Sequence, residues 1–343
     1  MKRPVIAFVS LILAVALCVP AARAQQKLAQ TGFGFLTVGT DARSTGMGEA
    51  FTTMEGTSTS LMYNPAGIAS LNSFVDLSAN NLRWIADIRY LSGTLAIAPF
   101  GKEYGVIGIS VLNVDYGEFK FTRVAANEQG YVDVKSSQPL AYVLGVGYGK
   151  ELSNQFAVGG QIKYAYQKLG QTYVPVYRTV VDTSGQTRKD TSLAIKKYRE
   201  GVIAFDFGTI YKTGFKSLAF GVSINNFARE IRYERENFQL PLSFKIGVSM
   251  NVVDFLPEMA EMHSLLVSID AVHPRSYTEY LNMGGEYVFA NTVAIRFGYI
   301  THHPDYGFTA GIGVRKFGLA IDYSYMPHKI FNDVSRISVK YSM

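Results

Sequence analysis

Beyond its first two dozen residues the chain has no cysteine. Its single one, Cys18, sits in an apolar leader, so no disulfide contributes to the stability of the rest. Leu17 precedes that cysteine where a lipoprotein signal needs a small residue, which argues against lipid attachment. No run after the leader approaches eighteen apolar residues, and this excludes helical membrane spans. There is no G-x-S-x-G elbow, no Walker loop and no H-E-x-x-H. The sequence therefore offers no catalytic residue, no metal ligand set and no cofactor motif, and reads as non-enzymatic. Strong net charge is missing too. The formal +6 includes Lys2, Arg3 and Arg23 with no acid in the leader, leaving +3, too mild for a nucleic-acid partner.

What is present begins with an export signal. Lys2 and Arg3 form a charged start, Val5 to Val19 an apolar core, and Ala22-Arg23-Ala24 a cleavage site. The mature chain is expected to start at Gln25. The chain of 343 holds 22 tyrosines, 22 phenylalanines and 32 glycines, all but Phe8 beyond the leader. An exported, aromatic-rich and glycine-rich chain fits an outer-membrane barrel.

From Phe74 onward the dominant period is two. Leu242, Phe244, Ile246, Val248 and Met250 point one way, and Ser243, Lys245, Gly247 and Ser249 the other. The same split recurs for Tyr142, Leu144, Val146 and Tyr148 against Val143, Gly145, Gly147 and Gly149. It appears again for Val293, Ile295, Phe297 and Tyr299 against Ala294, Arg296 and Gly298. A soluble sandwich would also alternate. Here the bulky face is aromatic near strand ends, as lipid and its interfaces require, while the other is small with scattered charges, as a lumen requires.

Fourteen strands are expected, centred near residues 77, 92, 108, 144, 162, 206, 222, 246, 268, 285, 296, 310, 321 and 338. Their connections alternate between short and long. The long ones (115–138, 170–199, 228–238, 273–278, 301–305 and 327–333) are assigned to the outer side. One connection, 253–262, is long where a short one is due, and a helical turn near Pro257 would account for it. The stretch 170–199 has its own alternation and is expected to project as a hairpin.

The fold class is thus all-β: a transmembrane antiparallel barrel of about fourteen strands. Its parts are a signal peptide at 1–24, a plug or hatch at 25–73, and the barrel at 74–343. The hatch assignment rests on small residues (Gly39, Gly46, Gly48, Ala50, Gly56, Ala66, Gly67) mixed with Phe33, Phe35, Met47, Phe51, Met54, Leu61, Met62 and Tyr63. A flexible connector would be polar; this apolar content needs burial, and the lumen is the available place. Pro65 biases Asn64 away from helix, so Asn64-Pro65-Ala66-Gly67 reads as a turn or short kinked element.

Lys163, Asp206, Lys245, Asp270, Arg296, Asp322, Arg336 and Lys340 are expected to face the lumen. Charges of both signs there read as an interior salt-bridged network, with a permeation path or a partner site as the alternative. His273, His302, His303 and His328 fall in outer connections without metal-ligand spacing and read as solvated. Gly145-Val146-Gly147-Tyr148-Gly149 lies mid-strand and reads as lumen-facing small residues rather than a phosphate loop.

Asp41-Ala42-Arg43-Ser44-Thr45-Gly46-Met47-Gly48-Glu49-Ala50, followed by Tyr63-Asn64-Pro65-Ala66-Gly67, resembles the N-terminal signature of the PorV/PorQ family, within the wider group of barrels like the long-chain fatty-acid transporter FadL. The motif residues are Asp41, Arg43, Gly46, Met47, Gly48, Asn64, Pro65, Ala66 and Gly67. The resemblance implies a FadL-like barrel in the outer membrane, acting in type IX protein secretion. It would bind cargo C-terminal domains or subunits of the attachment complex through its outer loops. Outer-membrane lipid and secreted or secretion-complex proteins are the implied partners. The alternative is a FadL-like transporter of hydrophobic small molecules such as long-chain fatty acids, with a hydrophobic ligand in the lumen.

Overall fold

Strands that are apolar on one face and polar on the other must separate two environments, and an open edge in lipid leaves backbone groups unpaired. The chain resolves both by closing a cylinder. The computed structural model describes residues 31–343 apart from 182–186, 234–235 and 304. The leader, Cys18 and the expected start at Gln25 lie outside the described residues.

A short helix, α1 (Ala42–Gly46), comes first, and eighteen strands follow. They are β1 (Val75–Arg83), β2 (Arg89–Ile97), β3 (Val106–Asp115), β4 (Phe119–Val124), β5 (Tyr131–Ser137) and β6 (Leu140–Ser153). Next come β7 (Phe156–Val181), β8 (Thr187–Lys212), β9 (Ala219–Ala228), β10 (Ile231–Tyr233), β11 (Glu236–Phe238) and β12 (Ser243–Asn251). Last are β13 (His263–Pro274), β14 (Tyr280–Phe289), β15 (Val293–Ile300), β16 (Phe308–Lys316), β17 (Leu319–Met326) and β18 (Val334–Ser342).

Fourteen of these form one closed barrel in which each strand pairs with the next and β18 returns to β1. All its pairings are antiparallel, and each expected strand centre falls inside one of the fourteen. The other four make two small hairpins, β4–β5 and β10–β11, within long connections. The stretch expected to project does so as the paired ends of β7 and β8, which continue to Val181 opposite Thr187. All three features sit at one end, called here the long-hairpin end. At the opposite, short-turn end the one long connection folds into two turns of 3-10 helix, Val252–Phe255 and Pro257–Met259.

Facing follows the sequence pattern. Ile107, Ile109, Val111, Leu144, Val146, Ile312 and Ile321 are exposed on the outside, an apolar surface of the kind that membrane barrels present to lipid. Inside, the N-terminal segment fills the cylinder. Met47, Ala50, Phe51, Leu61, Ala66 and Ile68 are fully buried.

Glycines on the wall make room for it. A Cβ at Gly108 or Gly147 would strike Leu61, one at Gly159 would strike the Pro65 backbone, and one at Gly284 or Gly298 would strike Met47 or Gly48. The run Gly145–Gly149 therefore serves close approach, with Gly149 backing Ile68. Replacing Gly159 with valine is expected to displace the Pro65 turn while leaving the barrel closed. The cost should be about 1–3 kcal/mol. The readout is faster protease cleavage within 55–70 in a barrel that keeps its heat-modifiable gel mobility; unchanged cleavage would refute the fit.

Candidate functional site: a sealed lumen and the cavity above it

The N-terminal segment is fixed to the wall by polar contacts all round. Asp41 caps α1 by accepting from the Ser44 N–H at 2.8 Å, the usual role of an acidic N-cap. Its other oxygen lies 2.9 Å from the Lys340 ammonium. The next residue, Ala42, donates its N–H to the Ser338 hydroxyl at 2.8 Å. Thr45 meets the Ser324 hydroxyl at 2.8 Å, so α1 is held by β17 and β18.

Arg43 forks onto Glu286 at 2.9 and 2.8 Å. Arg296 donates to the same carboxylate at 2.6 Å and approaches Asp322 at 2.7 Å. Arg296 and Glu286 are almost wholly buried, 1% and 4% exposed at the side chain. A charge this far from water persists only when paired. The bidentate geometry of Arg43 on Glu286 is the strong form of such a pair.

The rest of the motif occupies tight places. Gly46 lies against the Gly311 backbone, and Gly48, at φ 62°, packs on Gly298 while its N–H donates to Thr309 at 3.0 Å. Phe51 and Thr52 donate both N–H groups, and Thr52 its hydroxyl, to one oxygen of Asp270 at 2.7–2.9 Å. Ser58 donates its N–H to Asp76 at 2.7 Å.

Asn64 does three jobs. Its side-chain oxygen accepts from the Ala66 N–H at 3.1 Å. Its amide donates to the carbonyls of Thr52 at 2.7 Å and Thr209 at 3.1 Å. The Pro65–Ile68 stretch forms one 3-10 turn from this cap, and Gly67 has no room for a Cβ beside the Met54 carbonyl. At the short-turn end Lys212 bridges Glu55 at 3.1 Å and Glu151 at 3.7 Å.

These contacts divide the lumen-facing charges into two groups. Asp270, Arg296, Asp322, Arg336 and Lys340 stand against the N-terminal segment. Arg336 donates to the Gly39 carbonyl at 2.8 Å and lies over the Trp84 ring. Lys163, Asp206 and Lys245 instead line an open cavity nearer the long-hairpin end. There Lys163 pairs with Asp206 at 2.7 Å, and Lys245 sits over the Tyr63 ring, 5.7 Å from its centre.

The cavity has a volume of about 430 Å3. Its floor includes Met62, Tyr63 and Glu49, and one wall is apolar with Leu36, Trp84, Tyr90, Leu112, Val143 and Met326. The Tyr63 side chain is buried, and its hydroxyl accepts from the Ser44 hydroxyl at 2.5 Å. The sequence reading overlooked Glu286 and Asp76. Both are on the inward phase of their strands, which was the available signal.

Aromatic side chains cap this cavity. His303 stacks on Tyr306 at 4.6 Å and meets Tyr280 edge-on at 5.7 Å. Tyr306 also touches Trp84, the sole tryptophan, at 5.7 Å, and His328 at 5.2 Å. Of the loop histidines, His303 and His328 thus join an aromatic cluster, while His302 is exposed and His273 pairs with Glu279 at 2.8 Å. No group of metal-ligating side chains is found among the described residues.

A family model described as the type IX secretion system membrane protein PorP/SprF matches residues 58–333. The match includes Tyr63–Gly67 but not the Asp41–Ala50 stretch, and it names PorP/SprF where the N-terminal motif resembles PorV/PorQ. No curated protein matches the sequence. Among solved structures, the toluene transporter TbuX of Ralstonia pickettii is 12% identical with a TM-score of 0.56, covering 89% of this chain and 98% of its own. A FadL homologue of Pseudomonas aeruginosa is 13% identical with a TM-score of 0.53, covering 89% and 99%. The Pseudomonas putida toluene transporter TodX is 11% identical with a TM-score of 0.53, covering 87% and 95%. At such identities the likeness is one of fold.

Asp270→Ala should leave three buried donors of Phe51 and Thr52 unmatched and weaken the seating of 50–53 by about 3–5 kcal/mol. Hydrogen exchange at those amides would rise, and unchanged protection would refute the role. His303 makes a second, pH-dependent prediction. Burial holds its imidazole below the ordinary value, against Asp305 and with Lys329 and His328. A depressed folded value means the stacked loop is fully stabilised above the ordinary imidazole range, near 6.5, and loses support as pH falls below it. Trp84 fluorescence should change as pH falls below about 6.5 in the native chain and stay flat in His303→Phe.

Proposed function

Because the chain belongs to the type IX secretion system membrane protein PorP/SprF family, we propose that it is a non-enzymatic outer-membrane component of that system which docks partner proteins at its long-hairpin end. The observation that carries this reading is the family match over 58–333. The geometry agrees with it in two respects. The N-terminal segment blocks the lumen with buried ion pairs, so a wide passage through the cylinder is absent among the described residues. At the long-hairpin end, taken as the outer side, β4–β5, β7–β8 and β10–β11 supply paired strand surface beyond the barrel wall.

In this reading residues 25–73 form the hatch and 1–24 a cleaved signal. The motif residues seat the hatch, and the partners are cargo C-terminal domains or attachment-complex subunits, as a PorV- or PorQ-like role would have it. A second reading is favoured by one specific observation, the cavity with an apolar wall above the segment. It makes the chain a carrier of hydrophobic small molecules.

Affinity purification of the tagged chain from native outer membranes, with proteins and extractable lipids both identified, separates the two. Co-purification of secretion-system subunits or of exported proteins sharing a C-terminal domain is expected, with loss when the β7–β8 hairpin is shortened to the barrel rim. Recovery of a bound apolar molecule without those proteins would overturn the secretion reading.

A further inference from the structure

A second concavity lies on the outer wall, away from the lumen. Tyr164, Gly201, Val202, Ile203, Phe205 and Arg229 line it. It exists for two reasons. β8 continues beyond the last residue paired with β9, Ala204 opposite Ala228. In addition, Gly201 lacks the side chain that would otherwise meet the Tyr164 hydroxyl.

Arg229 reaches this face through a bulge. Along β9, Ala219, Gly221, Ser223 and Asn225 face inward. The β8–β9 register then shifts between Phe205 and Phe207. Asn226 takes φ 64°, a conformation asparagine tolerates, and donates its N–H to Asp206 at 2.7 Å. Alternation resumes in the opposite phase, so Phe227 and Arg229 are exposed on the lipid-facing side. Without the extra residue Arg229 would point into the lumen.

Further along the same face stand Lys168 and Arg199, directly opposite each other across β7 and β8 and both exposed. Two like charges in that relation repel. Among the described residues no carboxylate pairs with Lys168, Arg199 or Arg229.

Their height is set by neighbouring aromatics. Tyr142 lies 6.3 Å from Tyr164 and 5.0 Å from Tyr166, a tyrosine cluster of the kind that marks a membrane interface. Arg199 is four residues beyond Ile203, about 14 Å along the strand and about 10 Å in height at ordinary barrel tilt. Lys168 and Arg199 therefore stand where headgroups begin, with apolar Ile203 and Phe205 below them, and Arg229 leaves β9 at the level of Ile203.

We propose that this groove holds one phosphate-bearing lipid of the outer leaflet. Its acyl chain lies along Ile203 and Phe205, and its phosphates sit between Arg229 and the Lys168–Arg199 pair. The placement follows the general rule that basic pockets at the membrane surface select anionic headgroups. It relies on the long-hairpin end being outermost and not on which proteins dock there, so it stands or falls apart from the secretion reading. Arg83 and Arg89, also opposite and exposed, provide the comparison, since they form a like-charge pair on β1 and β2, away from this groove.

The test is native mass spectrometry of the full chain in detergent after incubation with diphosphoryl lipid A. One lipid should remain bound to the wild type and to Arg83→Gln/Arg89→Gln. Lys168→Gln/Arg199→Gln/Arg229→Gln should lower retention at least about tenfold, and Lys168→Arg/Arg199→Lys/Arg229→Lys should restore it. Heat-modifiable gel mobility verifies that each barrel is closed. Fully dephosphorylated lipid A should not be retained, and millimolar inorganic phosphate should not displace the bound lipid. Equal loss in both glutamine variants, unchanged retention in the triple variant, or displacement by inorganic phosphate would overturn the proposal.

Discussion

A cylinder of fourteen strands encloses more space than its own inward side chains can fill, and nearly everything else in this molecule answers that constraint. Many of the wall's inward residues are small, Gly, Ala and Ser among them, so the filling has to come from elsewhere in the chain. It comes from the N-terminal segment, whose Leu61 side chain is pressed against Gly108 and Gly147 and whose backbone is pressed against Gly159, Gly284 and Gly298. The wall is small because the contents are large. Neither makes sense as a sequence alone.

Filling the lumen with backbone has an electrostatic cost, because turns expose unpaired N–H groups. The structure answers with carboxylates projecting from the wall. Asp270 takes the donors of Phe51 and Thr52, and Asp76 takes that of Ser58. Those buried acids then demand cations, which explains why arginine and lysine also face inward. Arg43, Arg296, Glu286 and Asp322 form one such cluster, joining α1 to β14, β15 and β17. Such pairs add little net stability but penalise any arrangement that separates them. They therefore select one seating of the segment over many of similar apolar burial.

Much of this was legible beforehand because a period of two is hard to hide over ten residues. Strand positions, strand number and the side each residue faces follow from alternation, as Leu144 and Gly145 or Ile295 and Arg296 illustrate. The apolar content around Phe51 and Leu61 pointed to a buried segment for the same reason that any exposed hydrophobic run needs a cover. What alternation does not encode is which inward residue meets which part of the segment. The partnership of Arg43 with Glu286 spans more than two hundred residues, and Glu286 carries no local mark beyond its phase. The bulge at Asn226 was equally silent, since an inserted residue shifts phase without altering composition. The histidines of the outer connections read as solvated because nothing near them in sequence forecast the packing of His303 between Tyr280 and Tyr306.

The route of the N-terminal segment has a topological consequence. Thr31 bridges to Gln239 beside β11, at the long-hairpin end. The chain then crosses the interior and leaves at the short-turn end to begin β1. It is a thread through a ring, not a cork on a hinge. Withdrawing it toward the short-turn end would drag residues 31–40 past the Tyr63 floor, so any passage has to open beside the thread. The same route constrains assembly. Either one chain terminus is drawn through a finished cylinder, or the seam between β1 and β18 zips shut around a segment already in place. The second order lets the buried ion pairs form before the last pairing, making closure of that seam the step that commits the molecule.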